Sequence, residues 1–493
     1  MAKGAALMVL MRLAVRGLGI VSTIILARLL VPADFGLVAL ATIFSGLLEV
    51  ISNFGFEYAL ILNQKASRQH YDTAWTLTVL RSVITAVLLL IIAQPVASFF
   101  NDSRLGPVLG LLALSAFVGG FQNIGIVDFR KDMNFRKDFQ FMVTQKLAGF
   151  VLTVALAYLW RDYWALVAGI VFFRIMGTVL SYIMHSFRPR FCLLEWRDLF
   201  GFSKWILATH IVLYLSQHFS TIIIGKLLNA RTVGLYNIAF EIASLPTSEL
   251  VQPITRALFP GYAKVAHDKK RLVDLFLSSL AFVVLLAMPA GAGIGVLADP
   301  VVFVFLGERW RETIPLLQIL AFYGIIRVSF ANTGAIFMAL GRPEIQLYVV
   351  GVNALIRLPL LIFGVYAGGA LGASWALVVS GIIGFVITLS VLIRLLEIRS
   401  IAFVSAIWRP AIATAVMVSG LVLLLRYWGP IETVGLTIVL LLGAVAIGGV
   451  IYGSTVFLLW RLVESPPGAE RIILDEIMKI FRASGWFRWL RAK

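Results

Sequence analysis

The sequence predicts an all-α integral membrane protein with about fourteen transmembrane helices, grouped into two six-helix lobes and two further C-terminal helices. Three observations support this prediction: the apolar composition, the apolar segments of spanning length and an internal repeat. The 493 residues are 60% hydrophobic and only 14% charged, whereas soluble domains carry about a quarter charged residues. A chain this apolar cannot cover a surface that faces water, so lipid must surround most of it.

The chain is strongly basic, with 42 Lys and Arg against 25 Asp and Glu and a net charge of +17. In a soluble protein this imbalance indicates nucleic-acid binding. In a membrane protein the basic residues collect in cytoplasmic loops, so we expect membrane lipids rather than nucleic acid as partners. The single cysteine, Cys192, excludes an intrachain disulfide and a cysteine-based metal site. We predict no metal and no cofactor.

Each predicted span contains the roughly 20 mostly apolar residues that cross the hydrocarbon core. The fourteen segments are 5–29, 37–61, 74–98, 106–127, 140–160, 164–186, 203–227, 233–257, 274–297, 313–338, 344–366, 370–395, 405–427 and 434–461. The first segment is too long for a typical signal-peptide core, and it contains Arg12 and Arg16. It therefore belongs to the fold.

Loop charges predict the direction of each span. If the N-terminus is cytoplasmic, the inner loops and termini carry 28 Lys and Arg, and the outer loops carry 8. Lys and Arg mark the cytoplasmic side of membrane proteins. This bias predicts fourteen spans with both termini in the cytoplasm.

An internal repeat relates the two lobes. Residues 22–41 match residues 220–239 at an offset of 198, with nine of twenty positions identical. The match continues at Pro107 with Pro315 and at Trp164 with Trp375. Helices 1–6 therefore correspond to helices 7–12. The second copy begins an even number of spans after the first, so both copies have the same orientation in the membrane. Parallel repeats of this kind are typical of transporters.

These boundaries divide the chain into four parts. We predict an N-terminal lobe at 1–199, a C-terminal lobe at 200–400, helices 13 and 14 at 401–462, and a cytoplasmic tail at 463–493. The tail has isoleucines at helical spacing, followed by tryptophans among basic residues, which is typical of a helix lying on anionic lipid. The alternative is a partly disordered tail without a role.

Two motifs resemble a known family. The pattern L-A-R-L-L-x-P-A-D-F-G at 26–36, followed by N-F-G-F at 53–56, is similar to the polysaccharide transporter family of the multidrug/oligosaccharidyl-lipid/polysaccharide exporter superfamily. The resemblance covers nearly the whole chain. It implies two six-helix lobes around a central cavity that works by alternating access, in the bacterial inner membrane.

The resemblance also implies a substrate and partners. The substrate would be an undecaprenyl-diphosphate-linked oligosaccharide repeat unit, flipped from the cytoplasmic to the periplasmic leaflet for lipopolysaccharide or exopolysaccharide biosynthesis. A polysaccharide polymerase and other assembly proteins are the partners that it implies.

Polar residues inside the spans are the candidate substrate site, because ionisable groups at membrane depth are costly and usually line a cavity or pair. One helical face carries Arg12, Arg16 and Thr23, and the repeat places His210, Tyr214 and Gln217 on the equivalent face of helix 7. Arg327 and Arg357 are further cavity candidates. Arginine suits a diphosphate because its planar fork binds two oxygens. The alternative for Arg12 and Arg16 is snorkelling to the cytoplasmic surface.

Carboxylates and an amide in helices 2 and 8 are candidates for binding a coupling proton or cation. They are Glu49, Asn53, Glu57, Glu241 and Glu249. The alternative is that these carboxylates form structural ion pairs with arginines such as Arg81, Arg174, Arg327 or Arg357.

Absent motifs exclude several classes of protein. The sequence contains no P-loop, no H-E-x-x-H and no G-x-S-x-G, so we predict a transporter rather than an enzyme. A membrane-embedded polysaccharide polymerase or ligase is one rival, but it would gather catalytic groups on a long loop. A multidrug exporter of the same superfamily is the other, and it would favour carboxylates in the cavity.

Overall fold

The computed structural model describes residues 2–52, 55–199, 204–330, 332–428, 433–463 and 470–471. Within these ranges all regular structure is helical, as predicted. The chain forms two compact units, Met1–Asn237 and Ile238–Lys493. The predicted lobe boundary at 199–200 concerns the sequence repeat and stays a prediction.

The first unit contains both membrane-length helices and short helices that connect them. They are α1 Ala2–Leu29, α2 Pro32–Ile51, α3 Phe56–Leu62, α4 Arg68–Phe100, α5 Leu105–Gly120, α6 Val127–Lys131, α7 Phe135–Trp160, α8 Trp164–Met184, α9 Trp196–Leu199, α10 Lys204–Leu227 and α11 Ala230–Leu245, which crosses the unit boundary. A 3₁₀ turn at Ile124–Ile126 precedes α6.

The second unit continues from a π-helix at Pro246–Val251. Its helices are α12 Gln252–Val265, α13 Lys269–Val296, α14 Ala298–Phe305, α15 Thr313–Val328, α16 Thr333–Ala339, α17 Pro343–Leu396, α18 Ser400–Tyr427 and α19 Val434–Leu462. A 3₁₀ turn at Glu308–Trp310 lies between α14 and α15.

Among the described residues, ten helices are long and apolar enough to cross a membrane, or eleven if the bent pair of α5 and α6 forms one span. The count is lower than the predicted fourteen for two reasons. The helix α17 counts once although it contains two predicted spans. Neither α1 nor the segment formed by α11 and α12 is counted. The fourteen-span layout stays a prediction.

Several predicted spans are broken rather than continuous. The segment predicted at 37–61 divides into α2, which begins with Pro32 at its first position, and α3. Gly55 before α3 has a φ of +71°, a left-handed conformation that glycine adopts without steric cost. The segment predicted at 106–127 bends by 69° between α5 and α6. Hydrophobicity predicts how far a segment extends through lipid and does not report such breaks.

The helix α17 reverses at a pair of glycines, between the two predicted spans. Gly368 and Gly369 have non-helical backbone angles, and the φ of Gly369 is +56°. Beside the break, a Cβ on Gly372 would lie 1.9 Å from the carbonyl oxygen of Gly364. The two halves of α17 therefore approach each other through backbone alone.

The helices α2 and α11 cross with their backbones in contact. A Cβ on Gly36 would lie 1.7 Å from the carbonyl oxygen of Ala230, and a Cβ on Gly234 would lie 1.8 Å from the carbonyl oxygen of Pro32. Small residues permit such close approach of membrane helices. Gly36 and Gly234 are also equivalent in the repeat, since they are 198 residues apart. The contact is reciprocal, as a local twofold relation would make it.

The core of the second unit lies between α12, α13, α16 and α17. Tyr262, Phe276 and Ile336 are each fully buried there. Large apolar side chains such as Phe363 and Val450 are instead exposed on the outer faces of their helices. An apolar exterior of this kind fits lipid as the surrounding solvent.

Candidate functional site

A polar cavity of about 130 Å³ lies inside the first unit, where α2 ends. Residues from α2, α3, α4, α5 and α8 line it, and four of them are ionisable: Glu49, Glu57, Arg81 and Arg174. Hydroxyl groups of Ser52, Thr78, Ser82 and Thr85 line it as well. A cavity with this lining has the polar groups needed to hold water or a small ion.

The central ion pair of this cavity joins α2 to α8. Arg174 donates from Nη2 to Oε1 of Glu49 over 2.7 Å. Arg174 is the eleventh residue of α8, so it lies about 15 Å along the axis of that helix. Since an isolated charge on a membrane-spanning helix is costly, each residue gives the other an opposite charge to pair with.

A second chain of ion pairs lies at the edge of the cavity. Arg130 of α6 faces two carboxylates, with 3.5 Å between its Nη1 and Oε2 of Glu57 and 3.4 Å between its Nε and Oδ1 of Asp138. The Glu57 side chain is 56% exposed, and exposed pairs contribute little to stability. Glu49 and Glu57 are the two predicted coupling-ion carboxylates at the cavity, and Glu49 is the less exposed of the two.

In the second unit, two predicted arginines contact one aromatic ring. Tyr323 of α15 is buried, and its hydroxyl accepts a 3.1 Å hydrogen bond from Nη2 of Arg357. The guanidinium carbons of Arg327 and Arg357 lie 5.8 Å and 5.9 Å from the ring centroid. Cations in this position are attracted to the ring face. Both guanidinium groups therefore lie within 6 Å of the centroid of one tyrosine ring, which concentrates positive charge around it.

The other predicted substrate residues are more dispersed. Arg16 and Thr23 are half-buried on α1, while His210 and Gln217 are exposed on α10. The side chain of Arg12 lies outside the described part of the chain. The proposed role of these residues stays a prediction.

Tyr214 has a specific packing contact on α10. Its hydroxyl donates a 2.8 Å hydrogen bond to the carbonyl oxygen of Ile43 in α2. Gly46 makes room for this hydroxyl, because a Cβ there would lie 2.3 Å from it. The ring of His218 lies 4.4 Å from the tyrosine ring, centroid to centroid. Tyr214 therefore joins α10 to α2.

Two of the remaining coupling-ion candidates, Glu241 and Glu249, are not among the residues that line the cavity. Glu241 is exposed on α11. Glu249 lies in the π-helix and accepts a 2.9 Å hydrogen bond from the hydroxyl of Ser248. Asn53 lies outside the described residues. Within the described ranges, no three His, Cys, Asp or Glu side chains come together as metal ligands.

Three residues of these sites were not predicted as site residues. Arg81 and Arg174 entered the sequence analysis only as possible ion-pair partners, and Tyr323 did not enter it. A signal for Tyr323 existed, because it precedes Arg327 by four residues and so shares a helix face with it.

Many apolar helices that carry paired ionisable side chains are consistent with a membrane transporter. The protein-family comparison makes the class specific. The model of the polysaccharide biosynthesis protein family matches residues 25–315, and the chain belongs to this family. The resemblance inferred from residues 26–36 and 53–56 is thereby confirmed.

Individual relatives match across most of the chain. The lipopolysaccharide biosynthesis protein WzxC of Escherichia coli (strain K12) is 27% identical over 399 residues, which cover 80% of this chain and 81% of that protein. The succinoglycan biosynthesis transport protein ExoT of Rhizobium meliloti (strain 1021) is 24% identical over 475 residues, which cover 95% and 92%. These similarities support a transporter of polysaccharide biosynthesis and not an enzyme.

A solved structure shares the fold. The lipid II flippase MurJ, in an inward closed conformation, superposes with a TM-score of 0.74 at 13% identity, covering 92% of this chain and 99% of that chain. At this identity the likeness establishes the fold alone.

Proposed function

We propose that this protein flips a lipid-linked oligosaccharide repeat unit, carried on undecaprenyl diphosphate, from the cytoplasmic to the periplasmic leaflet of the bacterial inner membrane. The observation that carries the proposal is the position of two guanidinium groups within 6 Å of the ring centroid of Tyr323. A diphosphate is the anionic part of such a substrate, and arginine binds phosphate oxygens through directed, charge-assisted hydrogen bonds.

The relatives support the polysaccharide part of the proposal. One is named for lipopolysaccharide biosynthesis and another for succinoglycan transport. The structural neighbour is named a flippase for lipid II. A polysaccharide-unit flippase agrees with all three names, and alternating access between two lobes is the mechanism that we propose for it.

A multidrug exporter is the second candidate, and the ion pairs argue against it. An exporter of cationic drugs needs carboxylates free to bind a cation. In this chain Glu49 pairs with Arg174, and Glu57 faces Arg130. The arginines at Tyr323 favour an anionic substrate instead.

The Glu49–Arg174 pair is our candidate for coupling transport to an ion. A proton on Glu49 would release Arg174 from the carboxylate, because neutralising one partner removes the attraction. Since the pair joins α2 to α8, its opening would loosen the contact between these helices. This is a physical route by which ion binding alters the conformation of the first unit.

The test compares Arg357→Ala with Arg357→Lys in the native host. We expect Arg357→Ala to abolish surface polysaccharide and to leave the lipid-linked repeat unit accumulating in the cell membrane. Arg357→Lys should retain part of the activity, since the charge survives while the planar fork is lost. Membrane abundance of each variant is measured in parallel.

The matched control is Arg311→Ala, which removes an exposed arginine just before α15. It should export normally. Normal export by Arg357→Ala at normal abundance would remove Arg357 from the substrate site. Export loss without accumulation of the lipid-linked unit would contradict the flippase itself.

A further inference from the structure

Residues 185–195, called the strap, connect α8 to α9 without regular structure and lie along the first turns of α4. Three backbone N–H groups of the strap donate to side chains of α4: Arg190 to Asp72 (2.8 Å), Cys192 to Thr76 (2.9 Å) and Glu195 to Thr73 (3.4 Å). The acceptors Asp72, Thr73 and Thr76 are themselves buried. Side chains of one helix therefore hold the backbone of the strap in place.

Two further contacts hold the beginning and middle of the strap. The side-chain amide of the fully buried Asn123 donates a 2.7 Å hydrogen bond to the carbonyl oxygen of Phe187. The ring of Phe191 packs on the buried Trp75 with 5.0 Å between ring centroids. The strap is thus attached along its length.

The attached strap exposes large apolar side chains. Phe191 is 72% exposed, Leu193 51%, Leu194 71% and Trp196, which begins α9, 46%. The hydrogen bonds of the backbone keep these side chains from turning inward as a group. Water disfavours a contiguous apolar surface of this kind, and such a surface commonly marks contact with protein or membrane.

The position of the strap on α4 corresponds to a membrane–water boundary. It contacts α4 at residues 72–76, in the polar first turns of the helix. Leu80, one helical turn beyond Thr76, is exposed, and so are Ile84 and Val87. These exposed apolar residues mark where α4 enters hydrocarbon. The strap therefore lies within about one turn, roughly 5 Å, of that level.

The charges of the segment fit an anionic surface. Arg188, Arg190 and Arg197 are exposed among the exposed apolar side chains, on the side predicted to be cytoplasmic. Tryptophan and arginine beside aliphatic residues form the usual anchor at the headgroup level. Basic residues near the surface are attracted to anionic lipid.

We propose that residues 191–196 insert into the headgroup region of the adjacent leaflet and bind anionic phospholipid there. The apolar side chains enter the boundary of the acyl chains, while Arg190 and Arg197 contact lipid phosphates. The chain following the first six predicted spans is thereby fixed both to α4 and to the membrane surface. This binding is independent of which substrate the protein transports.

The chain has a single cysteine, so one substitution removes every native site for thiol labelling. In the full chain, Cys192→Ser removes that cysteine, and Leu194→Cys introduces one at an exposed position for a bimane fluorophore. The protein is reconstituted in vesicles of equal parts phosphatidylcholine and phosphatidylglycerol. Quenching is measured with a phospholipid spin-labelled near the top of its acyl chain and with iodide in the water.

The matched control carries Lys270→Cys in the same Cys192→Ser background, at an exposed position near the start of α13. We expect the spin-labelled lipid to quench the probe at 194 several-fold more than the probe at 270, and iodide to show the reverse order. Equal iodide quenching at both positions would place the strap in water and overturn the proposal.

A second comparison tests the charge. In pure phosphatidylcholine vesicles the lipid quenching at 194 should fall, and Arg190→Gln combined with Arg197→Gln should remove the difference between the two vesicle types. Lipid quenching that is the same with and without phosphatidylglycerol in the parent protein would contradict selective binding of anionic lipid.

Discussion

At the residue scale, Tyr323 combines two interactions that substitutions can separate. Tyr323→Phe removes the hydrogen bond from Arg357 but keeps the ring that faces both arginines. A hydrogen bond to a charged group contributes about 2 kcal/mol, and a cation–π contact contributes about 1 kcal/mol. We therefore expect reduced but measurable export from Tyr323→Phe and a larger loss from Tyr323→Leu.

The measurement is surface polysaccharide per unit of membrane-inserted protein. Since Phe and Leu are both apolar and fill the buried site, folded abundance is the control for packing. Equal activity of Tyr323→Leu and the wild-type protein would show that the ring does not position the arginines.

His185, at the end of α8, gives the first unit a predicted pH dependence. Burial lowers the pKa of His185 below its ordinary value, while the nearby Asp128, 3.5 Å away, partly opposes the shift. The unfolded chain therefore binds the proton first as pH falls. Stability present above about 6.5 should decrease as pH falls towards the folded pKa.

The measurement is the Tm of purified protein above and below the ordinary histidine pKa, compared with His185→Asn. The wild-type Tm should fall more steeply with acidification than that of the variant. Identical slopes of Tm against pH for the wild-type protein and His185→Asn would show that other groups cause the pH dependence.

At the scale of elements, the reversal inside α17 depends on Gly369. Its φ of +56° with a ψ of −137° lies in a region that is essentially restricted to glycine, and a side chain there costs roughly 1–3 kcal/mol. Gly369→Ala should therefore lower the Tm of the purified protein. Gly351→Ala is the matched control in the same helix, because no atom lies within 4 Å of its Cβ position and alanine favours helix. A Gly369→Ala variant as stable as Gly351→Ala would contradict the assigned backbone conformation.

The elements also show what a sequence can and cannot predict. The apolar run at 164–186 predicted the extent of α8, and the run at 344–366 ended just before the reversal at Gly368. The run at 74–98 predicted only the apolar part of α4, which begins at Arg68 and ends at Phe100. The ion pair of Glu49 could not be assigned, because several arginines were equally available and Arg174 is 125 residues away. Which faces meet is decided by packing between helices, and periodicity within one helix does not contain that information.

At the scale of the whole molecule, topology is the central prediction. The excess of basic residues on one side of the predicted spans places Lys65 and Lys131 in the cytoplasm, together with the C-terminal Lys493. Reporter fusions at these positions should give cytoplasmic signals, and a fusion at Arg161 should give a periplasmic one. A periplasmic signal at Lys131 would invert the first unit and overturn the layout.

The reciprocal contact of Gly36 and Gly234 makes the two copies of the repeat mutually dependent. A first methyl group, as in Gly36→Ala, must push α2 and α11 apart, since its carbon would overlap the carbonyl oxygen of Ala230. Once the helices have separated, a second methyl at position 234 finds space already open. The two substitutions should therefore destabilise less together than the sum of their separate effects, a coupling that a double-mutant cycle measures directly. In evolutionary terms, a gene duplication that brought equivalent positions into contact would have made the substitutions tolerated at one position depend on the residue at the other. Both positions would then change more slowly than the rest of the two copies.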